Sequence, residues 1–370
     1  MKKMIFTAAM MLASAAAMAQ SGTFQIKGNV EGLPDSLVAM IGRKTENIEV
    51  KKKKFEFSKN FDKPQWVYLC DQKVIKSGAF SAIPVFAIPS ETIEMKGNFT
   101  GGVDIKGSKF YQEQDLMDEY KGQAYKDIKA LWKWYSDNVN DSNRDSIEKV
   151  VDERMEPLQK KYAADLLAYA KQHSDQECIA LLIDELDDVK DKETLISLMA
   201  DNVKNGRMKA YYEPIFERAK KRAEMEEKAK VVQASGVEAP DFTLNDINGK
   251  PFSLSSLRVK YVVIDFWGSW CIWCIKGMPK MKEYYEKYKG KFEILGVDCN
   301  DTEAKWKAAV EKHQLPWIHV YNPKGSDVLD KYAVQGFPTK IVIGPDGKIV
   351  KTIVGEDPAF YTLLDEVLGK

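Results

Sequence analysis

Tyr261-Val262-Val263-Ile264-Asp265-Phe266-Trp267-Gly268-Ser269-Trp270-Cys271-Ile272-Trp273-Cys274 is the stretch on which the reading of this chain turns. Its first six residues are apolar apart from one acid, the pattern of a strand buried on both faces. Gly268 and Ser269 break the strand, and the run from Ile275 to about Lys289 has helical spacing. A Cys-x-x-Cys therefore follows a strand and opens a helix. Two intervening residues place Cys274 one turn beyond Cys271, within reach of an intramolecular disulfide. The unsatisfied N–H groups and positive dipole end of the helix favour a thiolate on Cys271. Such a thiolate attacks a substrate disulfide, and Cys274 resolves the mixed disulfide. A structural disulfide or half of a metal site is the competing interpretation, and the strand–Cys-x-x-Cys–helix setting disfavours it.

The flanking sequence alternates strands and helices. Ala239-Pro240-Asp241-Phe242 opens the segment, and Leu244 to Lys250 reads as a strand and tight turn. Phe292 to Val297 is a second buried strand, Thr302 to His313 a helix, Trp317 to Tyr321 a strand and Val328 to Ala333 helical. Thr339–Ile343 and Lys348–Val354 form a hairpin across Gly344-Pro345-Asp346-Gly347, and a final helix covers Ala359 to Val367. This order implies a mostly parallel sheet covered by helices. Within it Asp265 is conspicuous, because an acid in an apolar strand costs free energy unless paired or protonated. Burial raises its pKa and suits it to accept the Cys274 proton during resolution. The alternative is a strand-end Asp that reaches solvent.

Val263 to Pro279 resembles thioredoxin, and residues 234–370 as a whole are similar to thioredoxin-like reductases of the TlpA and cytochrome c maturation type, including the Thr302–Ala333 insertion. The resemblance covers about a third of the chain. It implies a thioredoxin-like fold with Cys271 as attacking and Cys274 as resolving cysteine, joined in a redox disulfide. Pro279 matches the helix-kinking proline. Gly336-Phe337-Pro338-Thr339 matches the loop whose proline is cis and faces the disulfide, turning the Phe337 backbone outward to bind an extended substrate segment. An acid stands at the position of Asp265 in thioredoxin. Trp270 and Trp273, with Phe337 and Pro338, are the implied substrate-binding residues, and Trp267 joins the aromatic frame or else belongs to the core. Two positions depart from the pattern. Thioredoxin has Pro where Trp273 stands, and the cytochrome c maturation reductases carry Glu where this chain has Gly277. Ile272-Trp273 supplies no positive charge to stabilise the thiolate, so a reductase-like potential of roughly −200 to −270 mV is expected.

The rest of the chain reads as three further segments. Residues 1–19 have the form of a secretory signal: Lys2 and Lys3, an apolar run from Met4 to Met18, and the small-x-small site Ala17-Met18-Ala19. A membrane anchor is the alternative, but the run falls short of the roughly 20 residues that a spanning helix needs. No Cys follows the cleavage site to carry a lipid. Residues 20–108 carry short alternating runs such as Phe24, Ile26 and Val30, separated by Gly, Pro, Asp and Asn, and imply a small antiparallel β domain. The Phe-x-Ile-x-Gly near its start resembles the β domain found ahead of such reductases in Bacteroidetes-type bacteria. Lys51 to Lys54 reads as a solvated hairpin turn. Residues 109–233 are rich in charge and Ala. Their apolar stripes, such as Leu158, Tyr162, Leu166 and Tyr169, predict four or five helices. Asp175 and Asp191 are candidate helix starts.

Composition excludes several classes. Fifty-five basic residues against 55 acidic ones imply neither a nucleic-acid partner nor an anionic membrane surface. Five cysteines (Cys70, Cys178, Cys271, Cys274, Cys299) are too scattered for a disulfide scaffold, and three histidines without a second Cys-x-x-Cys give no metal site. Cys70, Cys178 and Cys299 read as inert core thiols, His313 as a surface and His319 as a sheet residue. The expected protein is an α/β thiol–disulfide oxidoreductase without cofactor, exported to the periplasm or cell envelope. Its expected partners are protein disulfide or dithiol substrates and a membrane electron donor. A peroxiredoxin-like peroxide reductase and a binding module with a vestigial redox domain are the rivals. The first lacks its Pro-x-x-x-Thr-x-x-Cys loop here, and the intact Cys-x-x-Cys with Asp265 and Pro338 argues against the second.

Overall fold

A computed structural model of the chain describes residues 21–76, 81–120, 122–140 and 142–369, so the expected signal at 1–19 lies outside the described residues. The chain divides into two units, Met1–Ala219 and Lys220–Lys370.

Period-2 alternation builds the first unit. In β1 (Gly22–Glu31), Phe24, Ile26 and Val30 face inward while Lys27, Asn29 and Glu31 face water. Gly28 interrupts the row because a neighbouring ring fills its place: a Cβ there would lie 1.9 Å from Phe55. Next come β2 (Leu37–Ile41), β3 (Lys44–Asn47), β4 (Val50–Lys51), β5 (Lys54–Phe61), β6 (Gln65–Asp71), the short helix α1 (Gln72–Lys76), β7 (Ala82–Ala87), β8 (Thr92–Asn98) and β9 (Gly102–Lys106). They form two sheets, in the orders β4-β5-β1-β8-β9 and β3-β2-β6-β7. Every pairing is antiparallel except β1 with β8. The long excursion through the second sheet supplies the crossover that parallel neighbours require.

Helices α2 (Lys109–Tyr120), α3 (Gly122–Asn138) and α4 (Arg144–Gln172) follow, then a 3₁₀ segment (Glu177–Ile183) and α5 (Val189–Leu198), α6 (Asp201–Lys204) and α7 (Lys209–Val232). The stripe on α4 buries Tyr162, Leu166 and Tyr169. Strands and helices of this unit share one hydrophobic core. Within it, the Phe86 ring meets Trp66, Phe110 and Tyr211 at centroid distances of 5.1, 5.5 and 4.8 Å. Two expected helix starts are corrected. Asp188, not Asp191, caps α5 by accepting the Lys190 N–H at 2.7 Å, which leaves Asp191 in the favourable first turn. Gln176 rather than Asp175 is the N-cap of the segment that holds Cys178, and that segment is 3₁₀. Among the described residues no helix is long and apolar enough to cross a membrane.

The second unit orders its strands as β11-β10-β14-β13-β12-β15-β16. These are β10 (Thr243–Asp246), β11 (Pro251–Ser253), β12 (Tyr261–Trp267), β13 (Phe292–Cys299), β14 (Ile318–Asn322), β15 (Thr339–Ile343) and β16 (Ile349–Val354), interleaved with α8 (Ile272–Lys287), α9 (Glu303–His313), α10 (Val328–Lys331) and α11 (Ala359–Leu368). The expectation of a mostly parallel sheet is corrected: only β12–β13 and β13–β14 run parallel. The strands outside this trio are antiparallel additions, among them the β15–β16 hairpin. Val262, Ile264 and Phe266 belong to the core on one face of β12, and Val263 and Trp267 to the core on the other, with α8, α9 and α11.

Phe86 touches both sheet and helix aromatics, so Phe86→Ala is expected to cost about 3–5 kcal/mol. Denaturant unfolding of the full chain measures it. A loss below about 1 kcal/mol would mean that the site collapses freely and is not a tight packing point.

Candidate active site

The handover from β12 to α8 shapes this region. Gly268 leaves no room for a side chain, since a Cβ would lie 2.5 Å from Trp270 Nε1 and 2.8 Å from the Cys299 carbonyl oxygen. The Cys271 N–H donates to the Gly268 carbonyl at 3.0 Å. Cys271 is the N-cap of α8, with extended backbone, and its Sγ accepts the Cys274 N–H at 3.1 Å. One of the orphan donors of the first turn is thereby aimed at sulfur. Cys271 and Cys274 are bonded to each other, with Cα atoms 5.3 Å apart, and both are about 5% exposed or less. Cys70, Cys178 and Cys299 are free and buried. Burial pushes the thiol of each of the three up from its ordinary value.

The Phe337–Pro338 bond is cis. Phe337 packs against the core that holds both cysteines, and its ring meets Trp270 edge to face at 5.4 Å. Trp270 also donates its Nε1–H to the Cys299 carbonyl at 3.0 Å while remaining half exposed. Trp270, Phe337 and Pro338 thus gather at one place. Trp273 is 61% exposed, with the Lys276 ammonium 4.5 Å from its ring centroid. Of its two alternatives, Trp267 takes the core position. It is 1% exposed, because odd-numbered residues of β12 face α8, and it is a core residue.

Asp265 shares that inward face with Val263 and Trp267. It is 5% exposed, its Oδ1 has no hydrogen-bond partner among the described residues, and burial pushes its pKa up to about 6. The strand-end alternative is therefore excluded. Directly across the β12–β15 pairing stands Lys340, 1% exposed. Its ammonium donates to Glu356 at 2.8 Å, and the Tyr361 hydroxyl donates to the same carboxylate at 2.8 Å. Lys340 draws the Asp265 pKa down and Glu356 draws it up. At the end of β13, burial and the nearby Asp301 carboxylate push Asp298 up to about 8.

Lys340, Glu356 and Asp298 are absent from the sequence reading. A signal for the first existed: Lys340 interrupts an apolar strand as Asp265 interrupts its own, which marks a matched pair of buried charges. Gly277 is a second signal, since a missing side chain on a buried helix face invites another group. Asp298 sits at the end of a buried strand and gave no pattern to notice. Among the described residues no cluster of His, Cys, Asp and Glu could hold a metal ion.

Residues 235–352 match the AhpC/TSA family. A thiol-disulfide oxidoreductase ResA of Bacillus cereus is 42% identical over 122 residues, which cover 33% of this chain and 70% of the relative. The ResA of Bacillus subtilis is 35% identical over 123 residues, covering 33% and 68%. Among solved structures, the thioredoxin domain of a thiol-disulfide oxidoreductase from Bacteroides vulgatus is 35% identical, with 36% of this chain and 98% of that one covered at a TM-score of 0.35. Relatives named for thiol–disulfide exchange do not favour the peroxide-reductase reading. With a Cys-x-x-Cys at the head of α8 and a relative of this identity matched over more than two thirds of its length, the chain belongs to the ResA-type thioredoxin-like thiol–disulfide oxidoreductases.

Proposed function

We propose that this protein is an exported disulfide reductase of extracytoplasmic proteins, in which Cys271 attacks, Cys274 resolves and Asp265 takes the resolving proton. The observation that carries the reading is the Cys271–Cys274 disulfide at the N-terminus of α8, with Cys271 Sγ facing the Cys274 N–H and, on the adjoining strand face, the buried Asp265 carboxylate whose Oδ1 has no hydrogen-bond partner among the described residues.

The reduced protein begins the cycle. The Cys271 thiolate, favoured by the helix N-terminus, attacks one sulfur of a substrate disulfide, and the other sulfur leaves as a thiolate. A mixed disulfide now joins Cys271 to the substrate. Cys274 loses its proton to Asp265 as it attacks Cys271 Sγ, which expels the second substrate thiolate. The substrate has gained two electrons and the protein has become the Cys271–Cys274 disulfide. An external dithiol donor at the membrane, in this reading, returns the two electrons. Trp270, Trp273 and the edge at Phe337-Pro338 supply an aromatic and backbone surface for an extended substrate segment. Export rests on the signal-like stretch at 1–19, and it would put the protein in a compartment where substrate disulfides form.

Mass mapping of the oxidised protein should show the Cys271–Cys274 bond alone. Insulin reduction with dithiothreitol should be catalysed by the wild type and lost in Cys271→Ser, while Cys274→Ser should accumulate a mixed disulfide with substrate. A Cys271→Ser variant that still turns over would overturn the assignment.

Asp265→Asn should slow turnover near neutral pH by up to roughly 10²–10⁴-fold, the range of general-base catalysis. Stability gives a second reading. Asp265 holds its proton more tightly in the folded protein, about 6 against an ordinary 3.8, so the cost of charging it is absent below about pH 4 and full above about pH 6. Asp265→Asn is therefore expected to stabilise the protein at pH 7 by up to about 3 kcal/mol, the gain vanishing toward pH 4. Denaturant midpoints across that range measure it, and a gain independent of pH would exclude an ionised buried Asp265.

A further inference from the structure

Gly277 lies on the buried face of α8, one turn beyond Cys274. Its missing side chain is not replaced by empty space. A Cβ built there would stand 2.2 and 2.7 Å from the two Glu356 carboxylate oxygens. The carboxylate comes from a different part of the chain, the turn after β16. Gly355 makes that turn at φ +86, a conformation that suits glycine, and its N–H donates to the Pro338 carbonyl at 2.7 Å. One backbone hydrogen bond thus ties the Glu356 turn to the Phe337-Pro338 loop. Tyr361 fixes it from the other side, donating to Glu356 and lying 3.4 Å from the Gly277 carbonyl. Glu356 reaches the protein edge at 18% side-chain exposure, whereas its partner Lys340 is at 1%.

We propose that Glu356, seated in the space left by Gly277, is the positioning carboxylate beside the resolving cysteine, and that through Lys340 it sets how readily Asp265 accepts the Cys274 proton. This rests on the reading of Cys271 and Cys274 as the redox pair and Asp265 as the acceptor. Lys340 stands directly across the strand pairing from Asp265, and without a counter-charge it would hold Asp265 ionised but weakly basic. Glu356 neutralises Lys340 and keeps Asp265 ready to take a proton. A buried lysine paired in this way also avoids the cost of an isolated charge.

The other titratable groups around Asp265 do not substitute for this pair. On α11, Tyr361 is held neutral by burial and the Glu356 carboxylate, and the Lys280 ammonium of α8 lies 4.3 Å from its ring centroid. On β13, burial keeps Cys299 as a thiol, and Asp298 is pushed up to about 8. His319 on β14 pairs with Gly296 and is neutral, burial having lowered it to about 4. Lys340 and Glu356 therefore remain the charged pair acting on Asp265 near neutrality.

Two variants shift Asp265 in opposite directions. Glu356→Gln strands Lys340 and should lower the Asp265 titration midpoint by about 1 pH unit; Lys340→Met removes the attraction and should raise it by a similar amount. Carbon-13 NMR of Asp-labelled, reduced full-length protein reads the midpoint directly, and insulin turnover against pH, measured in parallel, should show its acid limb moving with it. The double variant Gly277→Glu/Glu356→Gly, which carries the carboxylate on α8 instead, should restore the wild-type profile. Midpoints that stay put in a protein that still reduces disulfides would overturn this inference alone. Same-direction losses of turnover in both variants, without shifted limbs, would reduce the pair to a structural role and overturn it too. A wild type that reduces no disulfide would overturn the reductase reading, and with it the resolving step assigned here.

Discussion

The joint between β12 and α8 is the constraint from which the surroundings of the disulfide follow. A buried strand must deliver its chain to a helix N-terminus within four residues, and Gly268 makes that possible by leaving room for Trp270 and the Cys299 carbonyl. Once the joint is fixed, Cys271 has no choice but to cap α8, and its sulfur lies where the first-turn N–H groups point. Trp270, anchored to the Cys299 carbonyl, then leans on Phe337 and connects the disulfide to the cis-proline loop. The redox pair and its surface are one consequence of a tight turn.

A second layer lies beneath. Asp265, Lys340 and Glu356 are three ionisable groups brought into a largely apolar interior. Buried ion pairs seldom stabilise a fold relative to apolar residues of the same shape. Proton transfer needs a group whose affinity matches the working pH, which is the role proposed for Asp265. The arrangement spends two elements, β15 and the turn after β16, on the electrostatics of a third.

What the sequence made legible follows the range of the interactions involved. Strand, motif and helix between Tyr261 and Lys287 are local, and their residue types report them directly. The acid in β12 is visible because it violates its own strand. Its charged neighbours come from residues 75 and more positions away, and only the register of β12 with β15 shows that Lys340 stands opposite Asp265. Sheet order behaves likewise. Alternating elements imply a covered sheet but not how many strands run parallel, which depends on whether each connection crosses over or turns back. Trp267 and Trp270 differ because the first ends β12, both faces of which are covered by core, and the second lies beyond its end.

The three remaining thiols carry a consequence of their own. Cys70, Cys178 and Cys299 sit in hydrophobic cores with no exposed surface, and burial keeps them protonated. A protein that exchanges disulfides with others could, in principle, exchange them with itself. Folding removes that hazard by sequestration, since a buried thiol can neither ionise nor be approached. Each can become reactive only when the core around it opens. Native packing is thus what separates the tool from its own material, and the folded state of this protein acts as the guard of its redox specificity.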